Sequence, residues 1–574
     1  MSSLSNIMST GSSALLTTQS QIAVTSSNIG KADDTSYTKK TASTSTLVLA
    51  GQGVGVTSTT ITNSINLALE RQIMGATSDA AYDAAVSDAL ESLVTTLGSV
   101  DTETGLQATA TDILNALSEA VASGGDSAST QSVVDALEAW ADELGDTSAA
   151  IQQARTDVDS QITEVVDDIN ASLQRLEKIN SEIASASARG LSTADLQDQQ
   201  RAELETLSGD LDISYYYQDN GEVRIFSSGG QTLLTSVAQE LSYDSFGRMS
   251  ADAVYDPANG GSIAGIEISG QDITSTLSGG TLGALLELRD ETLPALQAEL
   301  DELAATVADA VNAVSNASTA VPAPSSLTSK DGIATGDAMT GTGTMTLVEL
   351  SDDGTVLSSQ DFDLSGYATT QELLDAITVS GDYSVSTDAD GAITITSIDG
   401  NGIAIGGDGQ IDDSGASQFF GFNDLLRGDD ASSLSVSETL TASTLPVTGL
   451  ASTVVGEQAL ASGDTSALQS LASVLESPIA FSEAGSQKAD SLTLVARIAS
   501  IIDGVSDAAS DASTDASLSE SVRSNLSTSF SNSYGVNVDE ELAILTTLQQ
   551  SYDTAAQILK VAQEMFETLL DTVE

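Results

Sequence analysis

The sequence predicts a mainly α-helical fold with a β-rich insert, on the basis of three observations. Apolar residues recur every seven positions near both ends of the chain, which is the spacing of a coiled-coil seam. Long helical patterns fill most of the region between the ends, and strand-like alternation concentrates near 331–430. We therefore expect paired terminal helices that form a coiled-coil-like rod, a helical-bundle middle domain and an outer β domain.

The stretch from Tyr534 onward is predicted to form one long helix with an apolar seam. Asn537 and the carboxylates after it favour a helix start, because an Asn side chain can cap free backbone N–H groups. A companion row of apolar residues follows three positions after the seam, from Leu548 to Leu569. Such a helix packs either on its own domain or on a partner. The predicted seam consists of Val538, Leu545, Tyr552, Leu559, Phe566 and Val573.

Residues 1–30 contain no charged side chain, although the whole chain is strongly acidic. A solvated helix face in such a protein is expected to carry charges, so we expect this segment to be covered on its polar side as well. Its many Ser and Thr residues form helices weakly, which favours a segment ordered by its partners. It lacks the basic start of a secretory signal and an apolar run long enough to span a membrane. The predicted assembly residues here are Leu4, Met8, Leu15, Ile22 and Ile29, with Gly11 in the companion row.

Composition excludes several functions. The chain has 83 acidic and 18 basic residues, a net charge of −65, which opposes binding to nucleic acid and to anionic membranes. It has no cysteine and no histidine, so thiolate chemistry, Ser-His-Asp catalysis and His-ligated metals are excluded. The stretches "GQGVGV", "DADG" and "GGDGQIDDSG" are predicted to be turns, since each lacks part of its nucleotide or calcium motif. We expect no catalytic, cofactor or metal site.

The middle of the chain is predicted to contain helices near 78–98, 110–122, 130–145 and 148–188. A further helical pattern contains Pro294, where the helix either restarts or kinks. Asn220-Gly221 predicts a hairpin over 212–234, and short strands with a helix at 369–377 are predicted over 340–405. The stretch 318–332 is predicted to be a linker. Three domains are predicted. Residues 1–45 and 535–574 form a terminal helical assembly domain, residues 46–330 and 431–534 form a helical rod domain, and residues 331–430 form a β-rich outer insert.

Several motifs resemble those of one family. The closing "GVNVDEE" and the "QQSY" of the following helix are similar to the signature of the flagellar hook-associated protein 1 family, with Val538 in a Leu position. "SSNIGKADDTSYTKKT" resembles the Asn-Ile…Gly-Tyr-Thr-Arg motif of flagellar axial proteins, with Ser36 in place of Gly. The stretches 195–213 and 279–304 also fit the family pattern. The resemblance covers about 1–315 and 490–574.

The resemblance implies a structural protein rather than an enzyme. Family members form a ring at the hook–filament junction, between the hook protein and a second junction protein, with their termini folded together inside the tube. They leave the cell unfolded through the flagellar type III apparatus, without a cleavable signal, while a chaperone holds the C-terminal helix. The chain is therefore expected to be extracellular. Two alternatives remain: another axial protein, such as the hook protein or the second junction protein, or a secreted acidic surface protein.

Overall fold

The computed structural model describes residues 2–49, 52–97 and 105–571. Residues 50, 51 and 98 and the seam residue Val573 lie outside the described residues. The helices, in chain order, are α1 (Ser2–Gly30), α2 (Leu67–Leu97), α3 (Leu106–Ser123), α4 (Ser127–Ala188), α5 (Ala194–Asp210), α6 (Gly280–Glu287), α7 (Leu293–Asn316), α8 (Thr370–Ser380), α9 (Ala416–Phe420), α10 (Ser466–Glu476), α11 (Leu494–Tyr534) and α12 (Val538–Asp571).

The strands are short apart from a few in the insert and one long pair near the N-terminus. They are β1 (Lys40–Leu49), β2 (Gln52–Asn63), β3 (Ile213–Tyr217), β4 (Val223–Ser227), β5 (Thr232–Leu234), β6 (Leu241–Ser242), β7 (Glu267–Ile268), β8 (Gln271–Asp272), β9 (Ser318–Thr319), β10 (Ser326–Thr328), β11 (Gly341–Thr342), β12 (Thr344–Leu350), β13 (Val356–Asp363), β14 (Tyr383–Thr387), β15 (Ile393–Ser397), β16 (Gly402–Gly407), β17 (Gln410–Ile411), β18 (Ser414–Gly415), β19 (Leu426–Arg427), β20 (Ser435–Val436), β21 (Thr448–Gly449), β22 (Ile479–Phe481) and β23 (Asp490–Leu492).

The helix α4 is the longest helix of the helical region. It runs unbroken for 62 residues, where the sequence predicted two helices, and its length is about 93 Å at 1.5 Å per residue. The Asp126 side chain caps its start by accepting the N–H of Ser129 at 2.9 Å. A row of apolar residues that recurs every seven positions along α4 lies in the core. Four fully buried side chains form it: Ile162, Ile169, Leu176 and Ile183.

We call this helical region the rod. It consists of α4 and seven other helices: α2, α3, α5, α6, α7, α10 and α11. Their apolar faces share one core with α4 and with the sheet β3–β4–β5. The hairpin predicted at Asn220-Gly221 is confirmed, with Gly221 at a positive φ of 89°. Pro294 lies in the first turn of α7, which continues from α6 through a π-helical turn at Leu288–Thr292 without leaving the helical conformation.

The insert forms a second core. Two three-stranded antiparallel sheets, β13–β12–β16 and β10–β15–β14, enclose the apolar face of α8. The predicted strands and small helix of 340–405 are confirmed. The linker predicted at 318–332 is wrong, because β10 pairs with β15 and β9 pairs with β21. Strands of two or three residues are too short for their alternation to be visible in a sequence.

The chain enters and leaves the rod through two breaks. The helix α11 ends at Tyr534, and α12 begins at Val538, where Asn537 Oδ1 accepts the N–H groups of Asp539 and Glu540. The helix start predicted at Asn537 is thus confirmed, although the preceding helix α11 was not predicted. Near the other end, residues 64–66 separate β2 from α2. None of the described helices is long and apolar enough to cross a membrane.

Candidate assembly surface

The helices α1 and α12 pack side by side and run in opposite directions. Asn28, at the end of α1, donates from Nδ2 to Glu541 Oε2 at 2.9 Å, near the start of α12. At the other end, Leu4 and Ile7 share an apolar groove with Val561 and Met565. The two ends of the sequence therefore form one helix pair.

The residues buried between these helices belong mainly to the companion rows. On α1 the buried line is Leu4, Gly11, Thr18 and Thr25, and on α12 it is Glu541, Ala555 and Ala562, with Leu548 half-buried. A Cβ at Gly11 would lie only 3.1 Å from Cγ of Leu559. Small side chains along this line allow the helix axes to approach closely.

The residues predicted as the seam lie beside this line. Met8, Leu15, Ile22 and Ile29 are half-buried, as are Leu545 and Leu559, while the predicted assembly residue Leu4 belongs to the buried line itself. Val538, Tyr552 and Phe566 keep 38–40% of their surface exposed. The two terminal helices therefore pack together, and the smaller residues of the companion rows form the most buried line between them.

A long apolar face of the helix pair remains open to solvent. The helix α12 has more exposed large hydrophobic side chains than any other described element. Soluble proteins scatter such side chains singly, so their concentration on one helix pair indicates a contact surface. We call this set of residues the open face. It consists of Ile7, Leu16, Val538, Leu542, Tyr552, Ile558, Val561, Met565, Phe566 and Leu569.

The two-stranded ribbon β1–β2 covers another side of α1. Val56 donates its N–H to Ser13 Oγ at 3.1 Å, and Thr17 Oγ1 donates to the carbonyl oxygen of Val56 at 3.3 Å. Gly55 is required here, since a Cβ would lie 2.6 Å from Ser13 Oγ. The turn predicted for the whole of "GQGVGV" is wrong, because its residues from Gln52 onward belong to β2 and pair with β1. We call α1, β1, β2 and α12 together the terminal module.

The buried side-chain amide of Asn28 links three elements of the terminal module. We call this place, where α1 ends and β1 and α12 begin, the base of the module. Asn28 Nδ2 donates to the carbonyl oxygen of Lys40 at 2.9 Å as well as to Glu541. Its Oδ1 accepts from Tyr37 OH at 2.8 Å and from the N–H of Lys40 at 3.2 Å. Every hydrogen-bonding position of this side chain is used, so Asn28 ties α1 to both β1 and α12.

Two lysines add charge pairing at the same place. Lys39 Nζ lies 3.2 Å from Glu540 and 3.1 Å from Glu541. Burial opposes the charge of Lys39, but the hydrogen bonds to Glu541 and Glu540 outweigh it and raise its pKa. The pKa of Lys40 is raised in the same way, since burial is outweighed by hydrogen bonds to Asp195 and Asp198. Both lysines therefore stay charged at neutral pH.

The rod contributes α5 to this base. Asp198 accepts from Thr38 Oγ1 at 2.6 Å and lies 3.0 Å from Lys40 Nζ. Arg201 donates to the carbonyl oxygen of Ser36, and its guanidinium lies 4.7 Å from the centre of the Phe530 ring on α11. One face of α5 thus contacts the segment before β1 and the end of α11.

These contact residues belong to sequence motifs whose role is visible only in the fold. Asn28, Tyr37 and Thr38 belong to the N-terminal motif, Asp198 to the stretch 195–213, and Glu541 to the closing motif. Three segments that resemble one family therefore meet in space. The signal was present in the motifs, because polar residues with no chemical partner nearby in sequence need partners elsewhere in the fold.

The site contains hydrogen bonds, ion pairs and apolar surface, which suit association rather than catalysis. No group of three or more carboxylates in the described ranges is placed to hold a metal ion. The groove between Leu4 and Met565 is wholly apolar and has a volume of about 250 Å³. Four of its lining residues also belong to the open face: Ile7, Ile558, Val561 and Met565.

Comparison with known proteins gives two family matches. Residues 90–321 match the helical domain of the flagellar hook-associated protein FlgK. Residues 528–572 match the C-terminal domain of the flagellar basal body rod proteins FlgEFG. No curated protein sequence matches the chain. Among solved structures, the flagellar hook junction protein FlgK from Burkholderia pseudomallei is similar at 15% identity and a TM-score of 0.48, over 80% of this chain and 99% of that chain.

Proposed function

The chain belongs to the FlgK family of flagellar hook-associated proteins, which have a structural role at the hook–filament junction, and we propose that it acts there as one subunit of a ring. The observation that carries this proposal is the pairing of α1 with α12, with an apolar face left open along both. Exposed apolar side chains do not stabilise a monomer, whereas a ring of identical subunits would bury them and be stabilised by their contacts.

In the ring, the open face of one subunit packs against the terminal module of the next. A contact between different surfaces repeats around a circle and closes when the rotation per subunit divides a full turn. The predicted assembly residues then act in two ways. Leu4, Leu545 and Leu559 hold α1 and α12 together, while Val538, Tyr552 and Phe566 contact the neighbouring subunit.

The ring has two further neighbours, the hook protein on one side and the second junction protein on the other. The rod and the β-rich insert then surround the terminal modules. In this arrangement the acidic surface of the chain faces outward, where it keeps the junction soluble. The protein is extracellular and part of the flagellum.

Before assembly the same apolar surface needs protection. We propose that the chain is exported unfolded through the flagellar type III apparatus without a cleavable signal, and that an export chaperone covers α12 until then. The exposed residues of α12 form the surface that such a chaperone would bind in a groove, as amphipathic helices do.

Deletion of the gene tests the function directly. Cells without the protein are expected to keep their hooks, lose their filaments and swimming, and release flagellin into the medium. Electron microscopy of isolated basal bodies and blotting of the culture medium measure these outcomes. Complementation with the wild-type gene is the control.

The two alternatives predict different phenotypes. Loss of the hook protein leaves no hooks, and loss of the second junction protein leaves hooks that still carry the first ring. Loss of a secreted acidic surface protein leaves normal filaments. Intact filaments in the deletion strain would therefore contradict the junction role.

A further inference from the structure

The terminal module meets the rod through two short connections. Residues 64–66 join β2 to α2, and residues 535–537 join α11 to α12. Neither connection continues a helix from one part into the other. The angle between module and rod therefore depends on contacts between side chains rather than on a continuous backbone element.

Asp198 makes more of these contacts than its neighbours on α5. Its Oδ1 accepts from Thr38 Oγ1 at 2.6 Å and from Asn63 Nδ2 at 3.3 Å. Its Oδ2 accepts from the N–H of Thr38 at 3.2 Å and lies 3.0 Å from Lys40 Nζ. The residue is only 6% exposed.

The donors come from both sides of the ribbon. Thr38 and Lys40 precede and begin β1, whereas Asn63 ends β2. One carboxylate on the rod therefore holds the two strands of the ribbon at the same point. Because the ribbon also packs on α1 through Ser13 and Thr17, its position fixes that of the helix pair.

We infer that Asp198 is the positioning residue that sets the orientation of the terminal module relative to the rod. This inference rests on the proposed function, because the open face of a module at the wrong angle cannot meet the next subunit in a ring. Asp198 itself lies inside the subunit, so it acts through geometry and not through contact with a neighbour.

Asp195 provides the matched comparison. It lies one turn earlier on α5 and pairs with Lys31 and Lys40, but its side chain is 66% exposed. Exposed ion pairs contribute little to stability, whereas removal of the buried Asp198 carboxylate takes away the acceptor of the Thr38 N–H and hydroxyl, although Lys40 keeps Asp195 and Asn63 keeps Thr38 Oγ1. Asp198→Ala is therefore expected to free the module, and Asp195→Ala is expected to leave it in place.

Spin labels measure the orientation directly, since the chain contains no cysteine of its own. One pair of labels, at Gln174→Cys on α4 and Gln549→Cys on α12, spans the joint. A second pair, at Gln19→Cys on α1 and Gln549→Cys, lies within the module. All three positions are exposed.

In the full-length Asp198→Ala protein, the distance across the joint is expected to lose its single narrow distribution, while the distance within the module stays unchanged. Asp198→Asn keeps one acceptor oxygen for Thr38 and Asn63, so it is expected to restore part of the narrow distribution. The same order, wild type above Asn above Ala, is expected for swimming in the complemented deletion strain.

A narrow, unchanged distance across the joint in Asp198→Ala would overturn the inference. So would an equal change in both distances, because the module would then have unfolded. If Asp198→Ala does not fold, as judged by circular dichroism, the Asp198→Asn protein decides by the same two distances. Failure of the proposed function is seen separately, as intact filaments in the deletion strain.

Discussion

Asp210, at the C-terminal end of α5, carries a carboxylate oxygen that is buried and has no hydrogen-bond partner among the described residues. Burial raises the pKa of this carboxyl to about 6, and the nearby charge of Asp168 adds to the effect, while Arg175 opposes it. The folded protein therefore holds a proton here that the unfolded chain releases at lower pH. The stability of the fold should depend on pH through this residue.

Asp210→Asn is expected to stabilise the protein at pH 7.5 and to have little effect near pH 4. The folded-state pKa lies above the unfolded value, so the carboxyl lowers stability as the pH rises through the window from about 4 to about 6. The amide has no charge to lose. The expected gain above that window is about 1 kcal/mol, since partial exposure screens the charge.

Thermal denaturation at both pH values measures this difference. Asp142→Asn, on an exposed part of α4, is the control and should change the melting temperature little at either pH. An equal gain from Asp210→Asn at both pH values would indicate that the charge of Asp210 is not the cause.

The hydrogen-bond partners of single residues could not be predicted from the sequence. Asn28 and Asp198 could be recognised as parts of motifs, but their partners lie as far as 513 residues away in the chain. No periodicity or spacing brings such residues together. Only the folded path of the chain shows that the motifs form one buried network.

For the terminal helices, the pairing could be predicted from the sequence, but the buried side of each helix could not. Their heptad spacing predicted that they pair, because a repeat of seven keeps one stripe on one side of a helix. It could not decide which stripe is buried, since Leu-rich and small-residue rows alternate on both helices. Close approach at Gly11 selects the small-residue rows, and this depends on the partner helix.

Leu559→Asp tests whether the helix pair is an assembly element. Leu559 is half-buried and packs against Gly11 of α1, a helix whose sequence contains no charged side chain. Burying an unpaired charge costs several kcal/mol in the assembled ring and much less in a solvated helix. We expect the rod and insert to keep their circular dichroism and melting, while assembly, chaperone binding and swimming are lost.

Asp553→Ala is the control for this substitution, because Asp553 is exposed and lies off both rows. It should swim normally. Normal swimming of Leu559→Asp cells, or loss of the whole fold in the purified variant, would remove the main physical support for the assembly role of α12.

Amide exchange in the isolated monomer is expected to separate the terminal helices from the rod. The line between α1 and α12 buries mostly Gly, Ala and Thr, so little apolar area stabilises the pair without neighbours. Exchange up to about residue 40 and beyond about 535 is expected to be faster than exchange over 150–190 on α4. Strong protection of both ends in a proven monomer would contradict this expectation.

For the whole molecule, a mainly helical fold with a strand-rich region was predictable from periodicity alone. The paths between these parts were not, because β9 and β10 become visible only through their partners β21 and β15. The small core around Val348 and Val356 also includes Ala459 and Leu460, beyond the predicted insert of 331–430. Long-range pairing of short segments leaves no local pattern.

The net charge of −65 leads to the last prediction, which concerns salt. Folding brings like charges together, and their repulsion lowers the stability of the compact state. Salt shortens the range of this repulsion from about 10 Å at 0.1 M to about 3 Å at 1 M. The melting temperature is therefore expected to rise as NaCl is raised from low to marine concentration. MgCl₂ should have the same effect at lower concentration, since divalent ions screen more strongly. Differential scanning calorimetry across both series measures the change, with Asp142→Asn and wild type run in parallel. A melting temperature that stays flat or falls across the NaCl series would mean that burial and hydrogen bonding, rather than self-repulsion, limit the stability of this acidic fold.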